Sequence, residues 1–380
     1  MREKPALLIA AHSGRALAEA ARASGYIPLV ADFFGDADTR ALAGQCAVVP
    51  GDIRTGFQID LLLPALQALT RSREVIGLAY GAGFEDRPEL LTILAQHWPL
   101  LGNGADVVAW VKDPIRLAAL CAKADVPHPR TRREVPMSTV GWIRKLHGGS
   151  GGGHIAAAYE DPTGNAYYQR RVSGTPVSLL VLANGESAMI LGSSLQWPDA
   201  APGQLFRYGG ALRPAGISGA LLSQLGVAAG RLVALLGTER DGLASNGLRG
   251  LNSFDFLVNA DSFTLLEINP RPGATLDIFT HPRLMRAHIA AVGGVLPVKP
   301  LAFSGSQAAA TLYCDRGMNI RSIKSWPKAV KDRPNPSTDL QIGQPVCTVV
   351  ARAAEPQVAR RFLDKRIKVI RARLARDQQG

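Results

Sequence analysis

Residues Leu251–Phe279 read LNSFDFLVNADSFTLLEINPRPGATLDIF. Apolar side chains crowd Phe254 to Val258 and again Phe263 to Ile268, with Asn259-Ala260-Asp261-Ser262 between them, which predicts a two-stranded hairpin. In such a hairpin Asp255 and Glu267 lie on neighbouring strands, where their side chains can converge on one face. Each acid alone reads most simply as an exposed hairpin carboxylate. Both, however, interrupt strongly apolar runs, Phe-Asp-Phe-Leu-Val and Leu-Leu-Glu-Ile-Asn, where an unpaired carboxylate is costly and a cation is the simplest partner. Asn269 adds a carboxamide, and oxygen donors of this kind suit Mg²⁺ or Mn²⁺. Arg271, held in the Pro-stiffened run Asn269-Pro270-Arg271-Pro272-Gly273, is placed to take a phosphoryl oxygen bidentately.

A chain of 380 residues with 47% hydrophobic content can bury a large core and divide into two or three domains. The N-terminal apolar run Ala6 to Ala11 is too short for a membrane span or a signal-peptide core, so the expectation is a cytoplasmic protein with no membrane partner. Cys46, Cys121, Cys314 and Cys347 form no CxxC pair, which argues against structural zinc and fits buried thiols in a reducing compartment. The net charge of +12 raises the question of nucleic acid. Much of it collects in one C-terminal helical stretch containing Arg360, Arg361, Lys365, Arg366, Lys368, Arg371, Arg373 and Arg376, but a single aromatic, Phe362, is no interleaved set to stack on bases. A solvated helix face is the preferred reading, and nucleic acid is not expected as a partner. The same positive field would help gather anionic small molecules.

The first 105 residues alternate between strand and helix patterns: Leu7 to Ala11, Ile27 to Ala31, Cys46 to Val49 and Val75 to Ala79 read as strands, Arg15 to Ser24 and Gln58 to Ser72 as helices. This is the signature of a parallel sheet with right-handed crossovers. Asp32 falls eighteen residues after Gly14, as a ribose-binding acid would, but His12-Ser13-Gly14-Arg15 holds a single glycine, so the dinucleotide turn is missing and NAD is discounted. The loop from Tyr80 through Gly83 to Glu85 follows a strand, and its glycines either let a ligand approach backbone or merely make a turn. Pro127, Pro129 and Pro136 mark a linker. A strand at Trp142 to Lys145 then meets Gly148-Gly149-Ser150-Gly151-Gly152-Gly153-His154, too glycine-rich for strand or helix. Its backbone N–H groups can fold over phosphates, with Lys145 supplying a cation just upstream; a disordered hairpin tip is the alternative. Because the lysine precedes the glycines, this is no Walker A loop.

The hairpin ending in Glu267-Ile268-Asn269-Pro270-Arg271 resembles the metal-binding core of the ATP-grasp ligases, whose pattern is an Asp on one strand and Glu-x-Asn-Pro-Arg at the end of the next. The order lysine, glycine-rich turn, strand is likewise similar to their lid. The resemblance runs over nearly the whole chain and implies an α/β ATP-grasp fold with an α+β lid and an N-terminal Rossmann-like domain. It divides the chain into an N-terminal domain (1–105), a lid with its lead-in helix (106–185), a metal-binding unit (186–300) and a C-terminal extension (301–380). Lys112 and Lys145 would then meet ATP phosphates beneath Gly149, Ser150, Gly151 and Gly152, with adenine beside Gln169, Arg170 and Val172. Asp255, Glu267 and Asn269 would hold Mg²⁺ or Mn²⁺, and Arg271 and Lys145 would act in catalysis. Tyr80, Gly83, Glu85 and Asp277 would stand on the side of the second substrate. The family commonly carries a Glu at the hinge, where this chain has Arg170 and Arg171, so the ribose partner is left open.

Such a resemblance implies ATP-dependent joining of a small-molecule carboxylate to an amine through an acyl phosphate. The strings GAGFEDRPELL, LLGN, GGSGGGH and INPRPGATLDIF look most like the tyramine–L-glutamate ligases of methanofuran-type C1-carrier cofactor biosynthesis. A ligase extending a pterin-type cofactor tail with glutamate and a non-catalytic ATP-binding regulator are the alternatives, and homo-oligomerisation is compatible with either.

Overall fold

A computed structural model of the chain describes residues 4–159, 164–239, 247–320, 326–336 and 338–377. The chain opens with β1 (Ala6–Ala10), α1 (Arg15–Ala23), β2 (Ile27–Asp32), α2 (Ala37–Leu42), β3 (Gln45–Val48), α3 (Ile59–Thr70) and β4 (Val75–Tyr80). The four strands form a parallel sheet in the order β3-β2-β1-β4. β1 reads ALLIA and is buried at every position, as a parallel strand covered on both faces must be. Asp32, at the end of β2, accepts hydrogen bonds from the backbone N–H groups of Gly14 (2.9 Å), Gly35 (2.7 Å) and Phe34 (3.2 Å), so its carboxylate is engaged in shaping its own loops.

After α4 (Glu89–Ala95) come α5 (Ala105–Lys112) and α6 (Pro114–Lys123). Asp113 separates the two helices: it caps α6 by accepting from the N–H groups of Ile115 and Arg116, with Pro114 in the first turn. Four short strands follow, β5 (Thr131–Arg132), β6 (Trp142–Leu146), β7 (Ile155–Ala157) and β8 (Ala166–Arg170), in an antiparallel sheet of order β5-β8-β6-β7. The remaining chain builds β9 (Thr175–Asn184), β10 (Ala188–Pro198), β11 (Tyr208–Arg213), α7 (Gly219–Thr238), β12 (Arg249–Val258), β13 (Phe263–Asn269), α8 (Leu284–Val292) and β14 (Ser306–Tyr313). It ends with β15 (Met318–Asn319), β16 (Val330–Lys331), β17 (Asp339–Leu340), β18 (Pro345–Ala353) and α9 (Pro356–Asp377). Eight of these strands form one antiparallel sheet, β13-β12-β9-β10-β11-β14-β18-β16.

β9 shows why this sheet is the centre of the molecule. Val177, Leu179, Val181 and Ala183 enter a core shared with α5, α6 and α7, while Leu180 and Leu182 enter another shared with β1, α1 and α8. A strand apolar on both sets of alternating positions needs cover on both faces. α7 has the length and composition of a membrane-crossing helix, but it lays Leu221, Leu225, Leu232 and Leu236 into the first of these cores.

Two of the expected divisions fall within continuous sheets and cores. The segment 106–185 is not one lid: α5 and α6 pack with α7, β9 is a central strand of the large sheet, and the small sheet is confined to β5–β8. Nor is 301–380 an appendage, because β14, β16 and β18 complete the large sheet and α9 covers them with Ala359, Leu363, Ile370 and Leu374. Arg361, Lys365, Lys368 and Arg376 point outward from α9.

Arg15 joins the three regions. Its guanidinium is 2% exposed and donates to Asp277 through Nη1 (2.5 Å) and Nη2 (2.7 Å), and to Asp332 through Nε (2.9 Å) and Nη2 (3.0 Å). The ring of opposite charge pushes the Arg15 pKa well above its ordinary value despite burial. Replacing Arg15 by Gln leaves two buried carboxylates without their cation, and should cost about 3–5 kcal/mol. Urea unfolding measures it; an unchanged midpoint would show that the cluster does not hold the domains together.

Candidate active site

The register of the β12–β13 hairpin builds the site. Asp255 stands opposite Glu267 on β13 and opposite Ser178 on β9. Phe254 and Phe256 are buried in the α7 core, so strand alternation turns Asp255 to the other face. The pairing slips after Asp255, where Phe256 faces Leu265, and this bulge ends the regular ladder beside the two acids. Asn269 closes the group: its Nδ2 donates to Asp255 Oδ2 (2.9 Å) and to Glu267 Oε1 (3.3 Å).

Two lysines face this group. Lys112, the last residue of α5, donates to Asn269 Oδ1 at 3.0 Å and lies 3.4 Å from Glu267 Oε2. Lys145 on β6 is 3% exposed and faces Glu267 and Asp255. Burial pulls its ammonium pKa down, with Glu267 opposing. Burial and the neighbouring Glu267 push the Asp255 carboxyl up to about 6. For Glu267 burial acts upward too, but Lys112 and Lys145 outweigh it and hold this carboxyl well below the usual range.

Among the described residues no three His, Cys, Asp or Glu side chains gather in a metal-binding group. Asp255 and Glu267 still form a pair of hard-oxygen donors, with the Asn269 nitrogen turned to them and its oxygen to Lys112, and Asp255 Oδ1 is buried with no hydrogen-bond partner. That orphaned oxygen, between two acids and a carboxamide, fits a Mg²⁺ or Mn²⁺ ion.

A cleft lies between the two antiparallel sheets, lined by Lys112, His128, Gly149, Tyr167, Gln169 and Glu267 among others. Gly148 and Gly149 bring the glycine loop to its wall. Gly151 accepts a hydrogen bond from Tyr208 N at 2.8 Å. A Cβ at Gly152 would meet the Phe206 carbonyl, and one at Gly148 the backbone of Asp86, so the loop is tucked against both walls. His154 packs over Gly149 and approaches the Ser150 carbonyl through Nδ1 at 3.3 Å.

Other expected residues stand elsewhere. Arg170 sends its guanidinium outward to the Val140 carbonyl and over Trp142, leaving only its backbone toward the hinge with half-buried Val172. Gln169 is buried at the cleft and donates to Thr131 Oγ1 at 3.2 Å. Asp277 is corrected: it is committed to Arg15 and is not a free substrate acid. Glu85 is corrected as well. It is 3% exposed, one oxygen accepting from Arg271 Nε at 2.6 Å and the other from the N–H groups of Gly83 and Phe84. Burial pushes its carboxyl up, yet Arg271 and Lys112 bring it down to about 2. Glu85 therefore aims Arg271 and cannot attract an ammonium group. Tyr80 is buried, its hydroxyl donating to the Asn103 carbonyl at 2.7 Å, so it shapes the loop from below.

Asn103 carries a role that no sequence pattern marked. Its Nδ2 donates to Asn252 Oδ1 (2.9 Å) and the Pro270 carbonyl (2.7 Å), and its Oδ1 accepts from Arg249 N (2.7 Å). It fastens the N-terminal region to both strands of the hairpin. A buried connector of this sort has no local signature beyond the tight Leu-Gly-Asn turn.

Residues 113–275 match the ATP-grasp domain family. The architecture is the ATP-grasp fold with an N-terminal Rossmann-like parallel sheet. Solved structures with this fold include Rhizobium etli pyruvate carboxylase with the allosteric activator acetyl coenzyme-A, at 14% identity and a TM-score of 0.71 over 96% of this chain. This match spans only 37% of the pyruvate carboxylase chain. The Campylobacter jejuni biotin carboxylase–β-γ-ATP complex matches at 14% identity and 0.68, covering 94% of this chain and 89% of its own. The biotin carboxylase domain dimer of Hydrogenobacter thermophilus 2-oxoglutarate carboxylase, in complex with MgADP, ADP and bicarbonate, matches at 10% and 0.70, covering 94% and 88%. No curated protein matches the sequence.

The raised Asp255 carboxyl gives a pH test. Its folded pKa of about 6 lies above the ordinary value of 3.8, so its contribution to stability is complete below about pH 4 and is lost as pH rises through 6. Asp255→Asn imitates the protonated form at every pH. Without metal it should be more stable than the wild type at pH 7.5, on the order of 1–2 kcal/mol, with the difference vanishing near pH 4. Melting curves across that range decide the point, and a gap independent of pH would remove the coupling.

Proposed function

We propose that this protein is a Mg²⁺- and ATP-dependent ligase that joins a small-molecule carboxylate to an amine through an acyl phosphate. The observation that carries the reading is the convergence of Asp255, Glu267 and Asn269 with Lys112 and the buried Lys145 beside a glycine loop. Two buried lysines suit an anion, and two crowded carboxylates call for a cation.

The substrate carboxylate attacks the γ-phosphorus of ATP and ADP leaves, giving the acyl phosphate. The amine, after losing a proton, attacks the acyl carbon and expels phosphate. Asp255, Glu267 and Asn269 would hold a Mg²⁺ ion, which would supply positive charge to offset that of the phosphates. Lys145 and Lys112 neutralise charge that gathers on the transferring group. Arg271, aimed by Glu85, orients the carboxylate or the phosphoryl group. The Gly148–Gly153 loop, docked through Gly151 to Tyr208, keeps water from the acyl phosphate.

For the substrates themselves, the likeness of GAGFEDRPELL, LLGN, GGSGGGH and INPRPGATLDIF to tyramine–L-glutamate ligases favours the γ-carboxyl of L-glutamate as acid and a primary amine such as tyramine as acceptor, within C1-carrier cofactor biosynthesis. Neither Glu85 nor Asp277 recognises the amine in this scheme, since Arg271 and Arg15 occupy them.

ADP release is measured with amino acids, other carboxylates and bicarbonate, each crossed with amines. L-Glutamate with ATP alone, followed by hydroxylamine, should give the hydroxamate; ADP release with bicarbonate and with no carboxylate would overturn the amide-forming reading. Glu267→Gln should abolish turnover while leaving the fold intact, and retained activity with unaltered Mg²⁺ dependence would take Glu267 out of the metal set. Lys145→Met should weaken ATP binding about tenfold or more, through loss of a charged hydrogen bond. Unchanged affinity in calorimetry would reduce the glycine loop to an ordinary turn.

A further inference from the structure

We propose that α9 lays its outer face on an anionic lipid surface, with a row of basic side chains against the headgroups and Phe362 and Val369 dipping toward the acyl boundary. This surface lies outside the cleft chemistry and does not depend on the ligase reading.

Half of the chain's net charge is carried by this one element. Between Pro356 and Asp377 eight arginines and lysines stand against Asp364 and Asp377, a net +6 of the chain's +12. Packing sorts them around the helix. Ala359, Leu363, Ile370 and Leu374 are buried in the core beneath it, and opposite them, by the helical period, stand Arg361, Lys365, Lys368 and Arg376, all exposed. This outward row contains no acid and runs about 22 Å along the helix at 1.5 Å per residue. The helix also makes ion pairs from Arg360 to Asp364 at 3.1 Å and from Arg371 to Asp315 at 3.6 Å, and Arg360 stacks over Trp197; none of these involves the row. Because the opposite face is already packed, the row is held straight before a partner arrives, and docking costs little ordering.

The apolar neighbours select the partner. Phe362 is 48% exposed and Val369 56%; they stand two turns apart on one side of the helix, with Lys365 and Arg366 between them. A nucleic acid would answer the cations but would set its charged backbone against Phe362 and Val369, and Gln357 is the only carboxamide in the helix for reading bases. The interface of an anionic bilayer takes both kinds of side chain at once, and its plane suits an outward-facing helix side. The expectation of no membrane partner concerned spanning segments and signal cores; a helix lying on the surface needs neither.

The test is co-sedimentation of the full-length protein with vesicles of phosphatidylcholine alone and of phosphatidylcholine mixed with phosphatidylserine, at low and high salt. Binding should require phosphatidylserine and fall away as salt screens the row. Lys365→Gln combined with Lys368→Gln should weaken it on the order of thirtyfold, and Arg361→Gln with Arg376→Gln by a similar factor, with melting temperatures unchanged because these side chains are exposed. Phe362→Ser should weaken binding while leaving its salt dependence in place. Equal binding to both vesicle types, binding to neither, or wild-type binding by both double variants overturns the proposal. Salt-sensitive capture of duplex DNA or of polyglutamate without vesicle binding overturns it as well, and makes the face a site for a nucleic acid or an acidic polypeptide.

Discussion

Two carboxylates on adjacent strands, with their backs to a hydrocarbon core, set the problem that the rest of this structure answers. Asp255 cannot turn inward, because Phe254 and Phe256 own that face, and it cannot move away from Glu267 without breaking the ladder. Burial and repulsion raise one carboxyl while the lysines lower the other, so the two acids are driven apart in their readiness to ionise. Asn269 and Lys112 supply partial relief from the side, and the oxygen left over on Asp255 points to what is still missing.

The N-terminal sheet is tied to this hairpin by polar bonds, not by apolar packing alone. Asn103 grips Pro270 and Asn252, Glu85 grips Arg271, and Arg15 gathers Asp277 and Asp332. Each contact spans more than a hundred residues of sequence, and each is buried. Such bonds are directional and costly to leave half-made, so they set the orientation of Arg271 far more tightly than a greasy interface would. The same geometry removes Glu85 and Asp277 from any list of free acids.

The small sheet plays a different part. Its lysine and its cleft-facing Tyr167 and Gln169 come from paired strands, while its glycine loop reaches across to the β10–β11 connection and to Asp86. Glycine is needed where the loop meets backbone on both walls, because at Gly148 and Gly152 a side chain would collide with main-chain atoms and φ is positive. His128 belongs to this arrangement through its linker, which is bonded to β13 and to β5.

Much was legible in the chain itself, because it depends on local pattern. Alternation and turn residues located the parallel N-terminal sheet and the hairpin of Asp255 and Glu267, and glycine content located the loop after Lys145. These are short-range consequences of backbone sterics and side-chain period. The membership of the large sheet was not legible for the opposite reason: whether β9, β14 and β18 belong to one sheet depends on partners far away in sequence, and strand patterns do not name their partners. Glu85 read as a free acid and Asp277 as a substrate residue because nothing near them announces Arg271 or Arg15. Asn103 carried no motif at all; a hydrogen bond made across the interior exists only once the chain is folded. The sequence by itself determined which segments become strands, helices and tight glycine turns, and which residue types lie beside one another on the hairpin. The tertiary structure alone decided which charges are spent on each other and which remain for a ligand, because burial and long-range pairing set the cost of every charge.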